Sequence, residues 1–187
     1  MLSPVLRYRV PLGFLFAAWY LLAARPVSLR LYWVCVVLVT LGCLLRSWAA
    51  GYLFKGKRVA VGGPYAYVRN PLYVGSFILG SGFCVALWQW PLPWSSAVIV
   101  LVFLIGFGVL YRAKSLAEEG ELAANLGEPY VNYSRAVPAF LPVRGRVPGL
   151  GLQRFSAELY RRNSEYECIL GSAALLLYLF LRCRHGF

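Results

Sequence analysis

Residues 71–111 read PLYVGSFILGSGFCVALWQWPLPWSSAVIVLVFLIGFGVLY, and between Arg69 and Arg112 no residue carries a charge. Two apolar runs, Pro71 to Trp90 and Trp94 to Tyr111, meet at the interruption Trp88-Gln89-Trp90-Pro91-Leu92-Pro93-Trp94. Each run comes near the roughly 20 residues that a helix needs to cross the hydrocarbon core, and tryptophans gathered at a turn mark a membrane interface. The stretch therefore predicts a helical hairpin that leaves one membrane face, turns at the other and returns. Its two polar ends then share a face, so segments far apart in sequence can build one site.

Working outward, Leu29 to Leu53 is a third run of spanning length, while Val10 to Ala24 and Cys168 to Leu181 are shorter. The chain has 187 residues, 60% hydrophobic and 14% charged, a balance outside that of soluble domains. The expected fold is all-α, a single polytopic membrane helical bundle with about five spans near residues 10–24, 29–53, 71–90, 94–111 and 167–182, and a catalytic segment between the fourth and fifth. The last segment either crosses or lies at the interface. Arg7 and Arg9 precede the first run, but Ala23-Ala24-Arg25-Pro26 is a poor cleavage site, which favours a retained span over a signal peptide.

The formal net charge is +12. The basic residues lie between apolar runs and form no patch of the kind that grips nucleic acid, so no nucleic-acid partner is expected. With the N-terminus cytoplasmic, 14 basic residues fall on that side and 4 on the other, or 16 and 2 if the last segment does not cross. Positive-inside bias thus predicts a cytoplasmic N-terminus and a cytoplasmic active site.

There is no Asp, and all seven acidic residues are Glu between Glu118 and Glu167. Residues 112–167 form the one long polar stretch. It is expected to open as a helix continuing out of the fourth span to Leu126, stopped by Gly127. A chain broken by Pro129, Pro138, Pro142 and Pro148 then follows, anchored by Tyr130, Tyr133 and Phe140. The other informative stretch is the loop Gly62 to Gly75. Asn70 as N-cap with Pro71 in the first turn is a helix start that leaves backbone N–H groups toward an anion, or an ordinary loop-to-helix transition. Gly75, Gly80 and Gly82 permit close approach of a ligand or of another helix. Arg46 inside the second span is either functional or snorkels toward the Lys55 side. The five cysteines stand singly, which implies neither a disulfide framework nor a zinc site.

Absences narrow the chemistry. His185 is the only histidine and Asp is missing, so neither a Ser-His-Asp hydrolase nor a His-rich metal site can form. There is no phosphate loop, and Gly80-Ser81-Gly82 sits inside an apolar helix rather than after a strand. What remains is Glu, Arg, Tyr and Asn beside a lipid-accessible pocket. That inventory suits methyl transfer from a sulfonium, in which the protein aligns the reactants and excludes water. Carboxylates and tyrosine faces can hold such a cationic donor.

Two motifs resemble the integral membrane methyltransferases that include isoprenylcysteine carboxyl methyltransferase and phosphatidylethanolamine N-methyltransferase. The first is Gly63-Pro64-Tyr65-Ala66-Tyr67-Val68-Arg69-Asn70-Pro71-Leu72-Tyr73-Val74-Gly75. The second runs from Glu118-Glu119 through Leu122, Leu126-Gly127-Glu128, Tyr130 and Tyr133 to Val137-Pro138 and Leu141-Pro142. The resemblance covers about residues 60–142. It implies S-adenosylmethionine as cofactor, held by Tyr65, Val68, Arg69, Asn70, Tyr73, Gly75, Glu118, Glu119 and Tyr130, with Arg69, Asn70 and Arg135 at the reacting end and no metal. It also implies membrane lipids and a lipid-like small-molecule substrate as partners. Adjacent carboxylates on a helix point about 100° apart, so one of Glu118 and Glu119 is expected to touch the donor while the other caps or pairs. The family's usual His is Asn70 here, which removes any imidazole role. The Arg that precedes Val-Pro in the isoprenylcysteine enzymes is Ala136 here, with Arg135 one residue earlier, which argues against a prenylcysteine carboxylate.

Two rivals stay open. One is an NADPH-dependent membrane reductase of the sterol and steroid type, which would need more basic contacts for cofactor phosphates than a segment carrying a Glu pair offers. The other is a non-enzymatic helical scaffold.

Overall fold

The computed structural model describes residues 28–54, 58–88, 93–142 and 153–185. The expected first span, Val10 to Ala24, lies outside them. Among the described residues there are six α-helices, one 3₁₀ turn and no strand. The helices are α1 (Leu29–Ala50), α2 (Pro71–Ala86), α3 (Pro93–Leu126), α4 (Glu128–Ala136), α5 (Ala157–Arg162) and α6 (Glu165–His185), and the 3₁₀ turn is Gly63–Ala66.

Among the described residues three helices are long and apolar enough to cross a membrane: α1, α3 over Ser96–Leu126, and α6 over Glu165–Arg184. The shorter α2 has 16 residues, about 24 Å at 1.5 Å per residue. The 34 residues of α3 extend about 51 Å, more than ~30 Å of hydrocarbon, so its polar end projects beyond the apolar bundle as the sequence leads one to expect.

Glycines set the closest helix contact. A Cβ on Gly42 would lie 2.7 Å from the Gly75 carbonyl oxygen, and one on Gly75 would lie 2.9 Å from the Gly42 oxygen and 2.6 Å from Arg46 Cγ. Gly82 lies as tightly against Leu38 and Val39. The small-residue faces of α1 and α2 thus meet backbone to backbone. Helix α6 begins beside Arg46 and ends beside Tyr32, where its Phe180 ring is 5.6 Å from the Tyr32 ring. It therefore lies antiparallel to α1 over most of that helix, and Leu179 is fully buried between them with Cys35 and Val39.

The returning chain closes one end of the bundle. Asn163 Nδ2 donates to the carbonyls of Ala50 and Leu53 at 2.8 and 3.0 Å, which satisfies acceptors left open where α1 ends. Ser156 N–H donates to Gly51 O at 2.9 Å, and Gln153 Oε1 accepts the N–H groups of Val61 and Gly62.

One expectation is corrected. Residues 128–136 are not broken chain but the helix α4. Pro129 lies in its first turn, where a missing N–H leaves no hydrogen bond unmade. Gly127 separates α3 from α4 with φ of 61°, a backbone conformation that only glycine adopts cheaply.

Candidate functional site

The two motif segments meet at the polar end of the bundle. Arg69 N–H donates to Pro138 O at 2.8 Å, and the Tyr133 hydroxyl donates to Tyr65 O at 2.9 Å. Arg69 pairs with Glu119 at 3.0 Å, and Ser115 Oγ donates to Glu119 Oε1 at 3.1 Å. Asn70 Nδ2 reaches Ser115 Oγ and Ala139 O at 3.3 and 3.4 Å. The Tyr73 hydroxyl lies 3.1 Å from both oxygens of Glu118. Side chains about 45 residues apart in sequence are thus knitted together by the return of the hairpin.

Between these segments lies a cavity of about 580 Å³, within the range that holds a small-molecule ligand. Its polar lining is Arg46, Arg58, Arg69, Asn70, Lys114, Glu118, Glu121, Asn125 and Glu165, with the rings of Tyr65, Tyr73, Tyr130 and Tyr133. Leu53, Val59, Leu72 and Leu122 supply apolar wall. Both signs of charge line it, and the tyrosines offer π-faces.

Of the residues singled out from sequence, Tyr65, Arg69, Asn70, Tyr73, Glu118 and Tyr130 line this cavity. Glu118 faces it while Glu119 turns to Arg69, the divergence that helix geometry requires of neighbours. Others lie elsewhere. Val68 is buried and does not line the cavity, and Gly75 faces α1 in a helix contact rather than the cavity. Arg135 is exposed in the last turn of α4 and does not line the cavity. Asn70 is the N-cap residue of α2, yet its side chain makes no cap bond; it spans to α3 and Ala139 instead, while its carbonyl accepts the N–H groups of Tyr73 and Val74.

Sequence reading missed Arg58, Lys114, Glu121 and Asn125 on the lining, and above all Glu165. Arg46 Nε donates to Glu165 Oε2 and Nη2 to Oε1, each at 2.9 Å, while Nη1 reaches Leu72 O and Ser76 Oγ. Arg46 neither snorkels alone nor hangs free, because a bidentate fork to the first residue of α6 ties three helices at the cavity floor. An arginine inside an apolar run, with a glutamate at the start of another, was the available signal.

Burial raises the hydroxyl pKa of Tyr65, Tyr130 and Tyr133 above the ordinary value, and nearby carboxylates or tyrosines add to it. These groups therefore act as neutral donors and ring surfaces. The Arg69 side chain lies beside the Tyr130 hydroxyl, while its Nε is buried without a hydrogen-bond partner.

No family model and no solved structure matches the chain. Among curated proteins it is 30% identical over 150 residues to the nickel-cobalt-cadmium resistance protein NccN of Alcaligenes xylosoxydans xylosoxydans, covering 78% of this chain and 60% of that one. It is 37% identical over 82 residues to methanethiol S-methyltransferase of Crocosphaera subtropica, covering 44% and 28%. It is 26% identical over 132 residues to protein-S-isoprenylcysteine O-methyltransferase of Schizosaccharomyces pombe, covering 71% and 53%. The chain thus spans between about a quarter and three fifths of the length of these relatives. Two of the three are methyltransferases. The three apolar helices of spanning length among the described residues fit a membrane protein.

Proposed function

We propose that this chain is an S-adenosylmethionine-dependent methyltransferase that acts at the cytoplasmic membrane face on a lipid-like amphiphile. The observation that carries the reading is the cavity itself, where Glu118, Glu121, Tyr65, Tyr73 and Tyr130 surround a space of ligand size at the end of apolar helices. The lining fits such a donor: Glu118 and Glu121 offer charge to its cationic groups and the tyrosine rings offer π-faces, while Arg58 at the wall offers a cation to its carboxylate. When bound, S-adenosylmethionine supplies an electrophilic methyl group on a cationic sulfur. The protein's part is alignment and exclusion of water. The Arg69–Glu119 pair and the Asn70–Ser115 bond fix the α2 start against α3, and Leu53, Leu72 and Leu122 offer apolar wall to an acceptor's chain. The cytoplasmic placement rests on the positive-inside bias of the sequence.

The reductase reading fares worse on charge. Arg46 and Arg69 are each held by a carboxylate in a partly buried pair, and Glu118 and Glu121 on the lining disfavour a polyanionic nucleotide. Titration of the purified protein with S-adenosylmethionine and with NADPH separates the two readings. Glu118→Gln removes a charge-assisted contact and is expected to weaken S-adenosylmethionine binding by about tenfold. Selective NADPH binding overturns the proposal. Unchanged donor affinity in Glu118→Gln removes that residue from the site, and a scaffold predicts no ligand at all.

A further inference from the structure

Lys114 lies one helical turn before Glu118 on α3, and both line the cavity. Its ammonium is 3.4 Å from Glu118 Oε1 and 5.3 Å from the centroid of the Tyr73 ring, whose hydroxyl bonds the same carboxylate. An aromatic face and a carboxylate that converge on one point form a seat for a compact cation. The chain fills that seat with its own side chain. Lys114 and Glu118 keep side-chain exposures of 39% and 43%, so the pair is weak, and a flexible four-carbon stem lets the ammonium swing to water at little cost. Arg69, by contrast, holds Glu119 with both side chains less exposed, which makes it the fixed pair of the site.

We infer that Lys114 is the resident cation of the Tyr73–Glu118 seat, that it exchanges with the cationic sulfur of the donor, and that it thereby sets the preference between donor and spent product. This rests on the methyltransferase reading above. In the transfer a lone pair of the acceptor bonds to the methyl carbon as the carbon–sulfur bond breaks with its electron pair left on sulfur. The positive charge passes to the acceptor, where it neutralises an anionic nucleophile or leaves as that nucleophile's proton to water, so the sulfur arrives cationic and leaves neutral. Glu118 faces the donor's cation before that event and none after it. With Lys114 tethered at the wall, the ammonium returns to the carboxylate and the neutral product meets a compensated pair. Without Lys114, the product leaves Glu118 unpaired beside it, which is unfavourable, whereas the donor no longer competes with a resident ammonium. Lys114→Met therefore shifts the two ligands in opposite directions.

The test is calorimetric titration of the full chain in detergent micelles with S-adenosylmethionine and with S-adenosylhomocysteine, its neutral counterpart. In Lys114→Met the ratio of the two affinities is expected to move about fivefold in favour of the cationic ligand, while Lys114→Arg, which keeps the charge, holds the ratio closer to that of the wild type. Lys114 is part-exposed, and an unchanged melting temperature in Lys114→Met shows that the fold is intact. A ratio within about twofold of wild type, with both ligands bound, overturns the exchange and leaves the donor assignment standing. If the wild type binds neither ligand, the donor assignment falls and the exchange falls with it.

Discussion

Removing Glu165 tests whether the cavity floor is held by charge. Its carboxylate receives the Arg46 fork through two bonds of 2.9 Å, and the two side chains are 10% and 22% exposed. Breaking such a pair by deleting one partner costs about 3–5 kcal/mol. In Glu165→Ala the guanidinium keeps Leu72 O, Ser76 Oγ and some water, so the loss is set at the low end, about 3 kcal/mol. At roughly 2–4 °C per kcal/mol for a chain of this size, the melting temperature falls by about 6–12 °C. Arg46→Met is worse, because it strands the more buried Glu165 without its counter-charge. The double variant Arg46→Met/Glu165→Ala removes both charges and is expected to be far less unstable than the sum of the two singles. Thermal unfolding in detergent, followed by near-ultraviolet circular dichroism, reads all four proteins. A double variant as unstable as the sum of the singles refutes the coupling, as does a Glu165→Ala protein that melts with the wild type.

Gly75→Ala places a methyl group 2.6 Å from Arg46 Cγ and 2.9 Å from the Gly42 carbonyl oxygen, and is expected to destabilise by about 1–3 kcal/mol. Gly106→Ala meets nothing within 4 Å and should melt at or slightly above wild type; equal losses in the two would refute the helix-contact assignment. Tyr65, Tyr130 and Tyr133 hold their protons more firmly folded than unfolded. Their contribution to stability is therefore complete below the unfolded tyrosine pKa of about 10 and is lost progressively as pH rises from there through the higher folded-state pKa. Unfolding scans from neutral to strongly alkaline pH should show a flat region and then a fall. Tyr133→Phe should lose about 1 kcal/mol at neutral pH with its bond to Tyr65 O, and should fall less steeply above the break; a curve of unchanged shape counts against this cause.

Much of the site was legible because hairpin topology is a strong constraint. An uncharged stretch from Pro71 to Tyr111 predicts a helical hairpin, and the pairing of Arg69 with Glu119 and of Asn70 with Ser115 agrees with the two segments meeting. The unbroken run into Leu126 with Gly127 behind it foretold the single helix α3. What misled was local. Pro129 read as a breaker because the residues before it already ended a helix, yet the first turn of a new helix also accepts proline. Asn70 read as a capping side chain, but Ser115 and Ala139 compete for its amide across the site. Gly75 stood inside a motif that binds ligand by resemblance, while its actual neighbour is the backbone of α1.

By itself the sequence determined the class of the molecule and the inventory of its chemistry. Hydrophobic length and charge placement depend on solvent transfer, which each segment undergoes alone. Which side chain touches which was decided by tertiary structure. The Arg46–Glu165 fork joins residues 119 positions apart, and no periodicity or local propensity encodes a contact made only when α6 lies back along α1. The same holds for the split between Glu118 and Glu119: helix geometry sets them apart, but only the position of Arg69 and Tyr73 determines which carboxylate is consumed in the frame and which is left to face the cavity.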